Sequence, residues 1–507
     1  MAATNKIDGL VDGTNEKQKG PDLPTELRDE LEKLEQQFYV DRKKLKQISE
    51  RFQQELEEGL QDHGKNIAMY VTWVLGFPTG KEKGDFLTLD LGGTNLRVCW
   101  INLRGNEHEI GIKQQSYKMP DSIKTGDASS LWSFIASSLQ TFISDHSLNG
   151  AFSNPLNLGF TFSYPAIQDY IDQGILQTWT KGFDIKGVEG EDVASQLRSA
   201  ISDLNLPVSL VAVVNDTTGA MIASSYHDPK TIIGAIFGTG CNAAYMDKIS
   251  NIPKINSSDE IKKLDPETPM AINCEYGAFD NARNVLPLTK YDEQIDATSP
   301  RPGEQAFEKT SAGLYLGEIF RLIILDLHSR NIIFKDQDIS KLQSPYTIDT
   351  SLLSNIEDDD TPDLSDSGNE FKATFNITMT QPELQFTRAL AKLIAVRGAR
   401  LCATGIAAIC RHQKISSGHV AADGSVANKH PKFKKRWGRA LGEILDWSEA
   451  DREENDESGE GDESQKGPIV LTSAEDGSGV GAAVIAAMTL ERWGKGQKAG
   501  IKGSGRE

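Results

Sequence analysis

The chain has 507 residues, with 54 Lys plus Arg against 73 Asp plus Glu, a formal charge of −19 and a sequence pI near 5.0. That length suggests two to four domains with substantial cores, and 38% hydrophobic with 25% charged residues is ordinary for a soluble globular protein. The acidity argues against a surface that coats nucleic acid or an anionic membrane, and apolar runs such as 322–325 and 481–488 fall far short of the ~20 residues that span a bilayer.

In chain order, residues 1–20 are polar and rich in Gly, Asn and Lys, with no apolar segment that reads as a secretory signal. Leu27, Leu31 and Leu34, then Leu45, Ile48, Phe52 and Leu56, recur at steps of three and four and predict one long amphipathic helix over 24–60. Strands are expected at 85–89, the first in the chain, and at 96–103. A helix over 131–143, a strand at 156–162, a helix over 193–204 and a strand at 208–214 follow, an α/β alternation. Strands resume at 231–237, 243–246 and 270–272. The later part is more helical, with strong apolar periodicity over 304–327 and 383–409, a strand at 469–471 and a helix over 482–491. Two stretches read as exposed, disordered loops: 354–370 has seven acids and no base, and 448–467 has nine acids and two bases. Each holds −7 of the net charge. Five scattered cysteines (Cys99, Cys241, Cys274, Cys402, Cys410) with no C-x-x-C pair fit a reduced compartment, so a cytoplasmic location is expected.

Three Gly-rich turns each follow an apolar strand. They are Asp90-Leu91-Gly92-Gly93-Thr94-Asn95, Gly238-Thr239-Gly240-Cys241-Asn242 and Glu475-Asp476-Gly477-Ser478-Gly479-Val480-Gly481. Paired glycines can turn the backbone through positive φ and aim successive N–H groups at a phosphate, and the third turn opens a helix with unpaired N–H groups. Each alone also reads as a plain hairpin turn. Three together, with hydroxyls beside the glycines, favour nucleotide phosphates. Gly59–Asn66 nearly spells a P-loop but lacks the closing Ser/Thr and follows a helix, so it reads as a helix end. The run 477–481 leaves no room for the rest of a dinucleotide fold, and protein-kinase landmarks are missing from the sequence.

Polar residues gather where strands are expected to end: Ser163, the Thr180-Lys181 pair after Trp179, Asn215-Asp216, Asn273-Cys274-Glu275, and Gln305 and Glu308 further on. Such positions are where α/β proteins hold ligands, and amides with carboxylates suit vicinal hydroxyls. Each has a plainer reading. Asp216 could be a helix N-cap, Lys181 a solvated turn residue and Glu308 a surface helix residue.

The segments 90–97, 158–165, 179–183, 215–217, 237–242, 272–281 and 302–317 together resemble the hexokinase family, in its order and spacing, from about Pro24 to Trp493. Ile324-Leu325-Asp326-Leu327-His328-Ser329 looks closer to the fungal glucokinase branch. The resemblance implies a two-lobed actin-like ATPase fold, α/β with a ribonuclease-H-like sheet in each lobe. It implies an arm 1–23, an N-terminal region 24–226, a C-terminal region 227–493 whose last helix returns to the small lobe, and a flexible tail 494–507. Ser163, Thr180, Lys181, Asn215, Asp216, Asn242, Asn273, Glu275, Gln305 and Glu308 would hold glucose. Asp90, Gly92, Gly93, Thr94, Asn95, Arg97, Gly238, Thr239 and Gly240 would face the ATP phosphates. Ser425 and Gly477, Ser478 and Gly479 would lie near the adenosine. Glu304 stands where the family often has Gln, Tyr276 where Trp is common, and Val480 where Lys or Arg is common.

The expected reaction passes the ATP γ-phosphoryl group to the 6-hydroxyl of glucose, the first step of glycolysis, with Asp216 as base. Lys181 and Arg97 would offset charge on the transferred group, and Asp90 would hold Mg²⁺ through water. The cleft would close on sugar and suppress ATP hydrolysis. The partners expected are glucose and ATP, with no nucleic acid and no membrane insertion, in a monomer or homodimer. Two alternatives stand beside it: a catalytically silent sugar sensor on the same fold, and a kinase for mannose, fructose or N-acetylglucosamine.

Overall fold

A computed structural model of the chain describes residues 23–93, 95–105, 110–148, 155–180, 182–430, 432–448, 467–474 and 477–503. The apolar stripe over 24–60 forms two helices, α1 (Thr25–Phe38) and α2 (Arg42–Gln61). Between them Asp41 accepts the Lys44 N–H at 2.7 Å and caps α2. The stripe changes partner at this break. Leu27, Leu31 and Leu34 enter one core, whereas Leu45, Ile48, Phe52 and Leu56 enter another. The first strand is β1 (Tyr70–Leu75), upstream of the one expected at 85–89.

The first lobe comprises β2 (Lys83–Leu91), β3 (Asn95–Arg104), β4 (Gly111–Lys118), α3 (Ala128–Asp145), β5 (Leu156–Phe162), the hairpin β6 (Ala166–Ile167) and β7 (Ile175–Leu176), α4 (Val193–Asp203) and β8 (Val208–Val214). Its sheet runs β4-β3-β2-β5-β8, three antiparallel strands followed by two parallel ones. The chain continues through α5 (Asp216–His227), β9 (Thr231–Phe237), β10 (Cys241–Lys248) and β11 (Pro269–Asn273). Next come α6 (Lys290–Thr298), α7 (Ala306–Ser311), α8 (Gly313–Ser329), α9 (Thr350–Asp358), α10 (Ser365–Phe375) and α11 (Gln381–Gln413). It ends with β12 (Gly418–Asp423), α12 (Ser425–Lys429), α13 (Phe433–Leu445), β13 (Ile469–Ser473) and α14 (Gly477–Gly494). The second sheet runs β1-β11-β10-β9-β12-β13, with β12 parallel to β9 and to β13. Apart from β1 it repeats the first sheet, so the α/β fold is a duplicated, two-lobed one.

The helices that leave the last strand of each sheet are exchanged. α5 follows β8 but packs on β9 and β10, while α14 follows β13 and packs on β2, β5 and β8. They meet each other backbone to backbone: a Cβ on Gly481 would lie 2.0 Å from Gly219 O. Gly477, Ser478 and Gly479 thus form the first turn of α14, and none of Gly92, Gly238, Gly240, Gly477 or Gly479 has positive φ. In the second turn, and at Gly481 of the third, the need for glycine is therefore steric and not conformational. At Gly240, for instance, a Cβ would sit 2.6 Å from Glu308 Oε2.

Segment 354–370 is folded, contrary to the expectation of a disordered loop. It forms the end of α9, the turn 359–364 and the start of α10, with Ile356, Leu364 and, just beyond it, Phe371 buried in the helical core. Its acids are used: Glu357 pairs with Arg436 of α13, and Asp359 accepts Ser367 N–H and Oγ–H at 2.8 and 2.7 Å. The acid-rich composition hid this because the partner Arg436 lies 79 residues downstream. Apart from its two ends, segment 448–467 lies outside the described residues, as does the arm 1–23 apart from Leu23. The tail is held as far as Gly503. Gly500 O accepts Ile171 N–H at 2.8 Å, Gly500 N–H donates to Glu260 at 3.1 Å, and Asp172 accepts the N–H groups of Lys502 and Gly503. Periodicity over 304–327 divides at Ala312 into α7 and α8. α11 is long and apolar enough to cross a membrane, but its apolar window is fully buried in the core.

Candidate active site

β10 begins and β11 ends at the same edge of the second sheet, and this brings three of the expected sugar-binding residues into one network. Asn242 Nδ2 donates to Asn273 Oδ1 at 2.8 Å, to Glu275 Oε1 at 3.2 Å and to Thr217 Oγ1 at 3.1 Å. Asn273 Nδ2 donates to Glu275 Oε1 at 2.9 Å, and Glu275 N–H donates to Asn242 Oδ1 at 2.9 Å. These mutual bonds fix the amides and the carboxylate before any ligand arrives. Glu275 has φ 53° and Gln305 φ 56°, a left-handed backbone that costs about 1–2 kcal/mol for residues with a Cβ. Glu308 Oε2 accepts the Cys241 N–H at 3.2 Å, so the first turn of α7 reaches the start of β10. Glu304, by contrast, is turned toward Arg301 (3.7 Å) and is largely exposed, away from this network. Tyr276 is wholly buried, edge-on to Phe52 and Phe307.

Asp216 is the first residue of α5, and Asn215 is its N-cap. The Thr217 N–H is shared between Asn215 Oδ1 (2.9 Å) and Asp216 Oδ1 (2.7 Å), and Thr217 Oγ1 lies 3.2 Å from the same aspartate oxygen. The capping role expected as one possibility for Asp216 therefore belongs chiefly to its neighbour. Through Thr217 and Asn242 the aspartate is joined to the Asn273–Glu275 network. Asn215 and Asn273 also line a cavity with Tyr70, Thr72 and Tyr164. Burial, with Glu275 nearby, pushes the Tyr70 phenol up to about 12. Ser163 is buried at the end of β5 and Thr180 is half-buried, while Lys181 lies outside the described residues.

Asp90, near the end of β2, faces Arg97 of β3 in register. Its Oδ2 accepts from Arg97 at 3.3 Å and from Ser478 Oγ at 2.7 Å. Ser478 O in turn accepts Thr161 Oγ1–H of β5 at 3.1 Å. Ser478, expected near the adenosine, is set by α14 on Asp90. Gly477 packs on Ala220, and Gly479 faces Thr88 and Cys99. Val480 is buried. The first turn is closed by Gly92 N–H to Asn95 O at 3.2 Å, with Gly93 within it and Thr94 outside the described residues. In the second turn Gly238 O and Thr239 O accept N–H groups from the start of α8 at 2.8 and 3.3 Å, and Gly238 N–H closes on Gly240 O at 3.0 Å. Gly238 abuts Gly424 and Ser425, which sets Ser425 next to the second Gly-rich turn.

Two neighbours of these residues were not singled out from the sequence. Asp423 ends β12 and has its carboxyl raised, first by burial and then by Asp216, with Arg97 opposing. A polar residue at a strand end before Gly-Ser was the available signal. Tyr164 donates its hydroxyl to Gly92 O at 3.3 Å and stands edge-on to Trp179 at 4.8 Å. Burial, then Asp216 and Asp90, hold its phenol far above the usual range. Among the described residues no group of three or more His, Cys, Asp or Glu could chelate a metal. A lone carboxylate such as Asp90 fits a hydrated cation that a polyphosphate would bring with it.

Family models described as hexokinase match residues 30–226 and 232–488. A protein named Hexokinase from Emericella nidulans is 51% identical over 95% of both chains. Hexokinase-1 of Saccharomyces cerevisiae is 48% identical over 95% of this chain and 96% of its own. The solved hexokinase from Schistosoma mansoni complexed with glucose is similar in structure, with a TM-score of 0.79 and 31% identity over 91% of this chain and 99% of that one. The two fungal relatives carry the name hexokinase, not glucokinase.

Proposed function

The chain belongs to the hexokinase family, and from that premise we propose that it passes the γ-phosphoryl group of ATP to the 6-hydroxyl of glucose at the head of glycolysis. The sugar-kinase class comes with the family; the acceptor hydroxyl, the base and the metabolic role are the proposal. The observation that carries it is the bonded network Asn242–Asn273–Glu275, which ends one hydrogen bond from Thr217 and so beside Asp216. Three amide or carboxylate groups fixed against one another suit the vicinal hydroxyls of a hexose, and a carboxylate at the edge of that network suits proton removal from the attacking hydroxyl. Asp216 is held by Thr217 at the rigid start of α5, the pre-organisation a base requires.

On the other side, Arg97 offsets charge near Asp90, and the role of Lys181 rests on the family resemblance. Mg²⁺, held by the ATP phosphates and met by Asp90 through water, would neutralise charge on the transferred group. The test is a coupled assay at fixed MgATP with glucose, mannose, fructose and N-acetylglucosamine in turn. Turnover on glucose with Asp216-dependent kcat supports the reading. Turnover on another sugar alone overturns the substrate, and calorimetric glucose binding with no turnover leaves the silent sensor in its place.

A further inference from the structure

The two sides of the proposed sugar site come from different lobes. Thr180 follows Trp179, which is buried in the core of the first lobe, while Gln305 and Glu308 follow the α6–α7 loop of the second. One side chain joins them. Arg301, in that loop, donates from Nη2 to Trp179 O at 3.2 Å and to Thr178 Oγ1. Its acceptors are the two residues immediately before Thr180.

The base of Arg301 is anchored. Arg301 O accepts the Lys309 ammonium at 2.7 Å, and the same ammonium lies 2.7 Å from Asp296 Oδ1. Asp296 also receives the Gly303 N–H at 3.0 Å on both oxygens and pairs with Arg283. Lys309 is buried and is the residue after Glu308. The loop is thus an arch pinned at both ends, and its anchor lies next to a sugar-binding carboxylate. The guanidinium itself is partly in water, with a side-chain exposure of 43%. A contact of this kind is weak enough to form and break with each cycle.

We propose that Arg301 is a positioning residue, a latch that holds the Thr178–Thr180 segment against the second lobe when sugar is bound. It rests on the glucose-kinase reading above. A latch made only in the closed form adds to that form's population, so it acts on sugar affinity and not on the phosphoryl-transfer step.

The experiment compares the wild-type chain with Arg301→Ala, Thr178→Val and the double variant. Glucose Kd is measured by calorimetry without nucleotide, closure by the glucose-induced change in small-angle scattering, and KM and kcat by the coupled assay. Arg301→Ala should weaken glucose binding by about fivefold and reduce the scattering change, and Thr178→Val, which leaves the bond to Trp179 O, should do both to a smaller extent, with the MgATP KM unaltered and kcat within twofold. The double variant should be no weaker than Arg301→Ala, because the bond lost in Thr178→Val is already lost in Arg301→Ala. Arg301→Lys, able to reach the Trp179 carbonyl, should fall between. Single variants with wild-type Kd and scattering change overturn the latch, as do fully additive effects of the pair. A wild-type chain with no turnover on glucose would sink the functional reading instead. A lowered Tm with unchanged Kd would mark Arg301 as merely structural and also overturn the latch.

Discussion

Replacing Asp216 by alanine separates the two jobs that its position at the start of α5 allows. As a helix-terminal carboxylate, Asp216 interacts with the positive end of the helix dipole, worth about 0.3–1 kcal/mol. Its removal leaves the cap in place, since Asn215 Oδ1 still accepts the Thr217 N–H at 2.9 Å and Thr217 Oγ1 still receives Asn242 Nδ2 at 3.1 Å. The fold should therefore lose no more than ~1 kcal/mol, a Tm change of at most ~4 °C. As a general base the same group is worth roughly 10²–10⁴ in rate, or about 3–5 kcal/mol of barrier. The expected result is a kcat down by at least ~100-fold, with Tm close to wild type. Asp216→Asn, which keeps the size of the side chain, should lose as much rate. A kcat within tenfold of wild type would refute the base assignment. A parallel fall of Tm and kcat would show that Asp216 mainly supports the helix.

Other expectations concern particular contacts. Ser478→Ala removes the 2.7 Å hydrogen bond to Asp90, and a bond to a charged acceptor is worth about 1.5–3 kcal/mol. MgATP affinity should fall at least ~10-fold by calorimetry while glucose affinity holds; an unchanged MgATP Kd would contradict that role. Gly481→Ala places a methyl 2.0 Å from Gly219 O and must separate α5 from α14, costing about 1–3 kcal/mol or more. Both Tm and kcat should drop, and a variant identical to wild type in both would show that the helix crossing is looser than described. Glu357 is buried, which alone would raise its carboxyl, but Arg436, Lys432 and His430 outweigh burial and hold it at about 2 against an ordinary 4.5. Its stabilisation, roughly 3 kcal/mol, is present above pH 4.5 and lost as pH falls toward 2. Urea titrations across that range should show a shallower acid limb for Glu357→Gln, and an unaltered limb would exclude the pair as a source of acid sensitivity.

The chemistry of the site was legible locally. Asp90, Asn215-Asp216, Asn242, Asn273-Cys274-Glu275 and Glu308 each lie at or near a strand end or helix start, and a strand of alternating or β-branched residues announces its own end. The duplicated sheets were foreseen through family resemblance, because neither periodicity nor composition reports strand order. What failed failed for want of distant partners. The stripe over 24–60 looked continuous because a helical repeat does not say which core it meets. The acidic segment 354–370 looked disordered because Arg436, which pairs with its buried Glu357, is remote in sequence.

By itself, then, the sequence determined which polar groups stand at strand ends and helix starts, since residue type and strand-end position are local properties. The tertiary structure alone decided how they are shared out. It set Ser478 on Asp90, gave Asn215 the cap and left Asp216 beside the Asn242 network. It also set Arg301 across two lobes. The physical reason is the exchange of α5 and α14 between sheets, a contact of backbone with backbone across more than 250 residues, which no local pattern encodes.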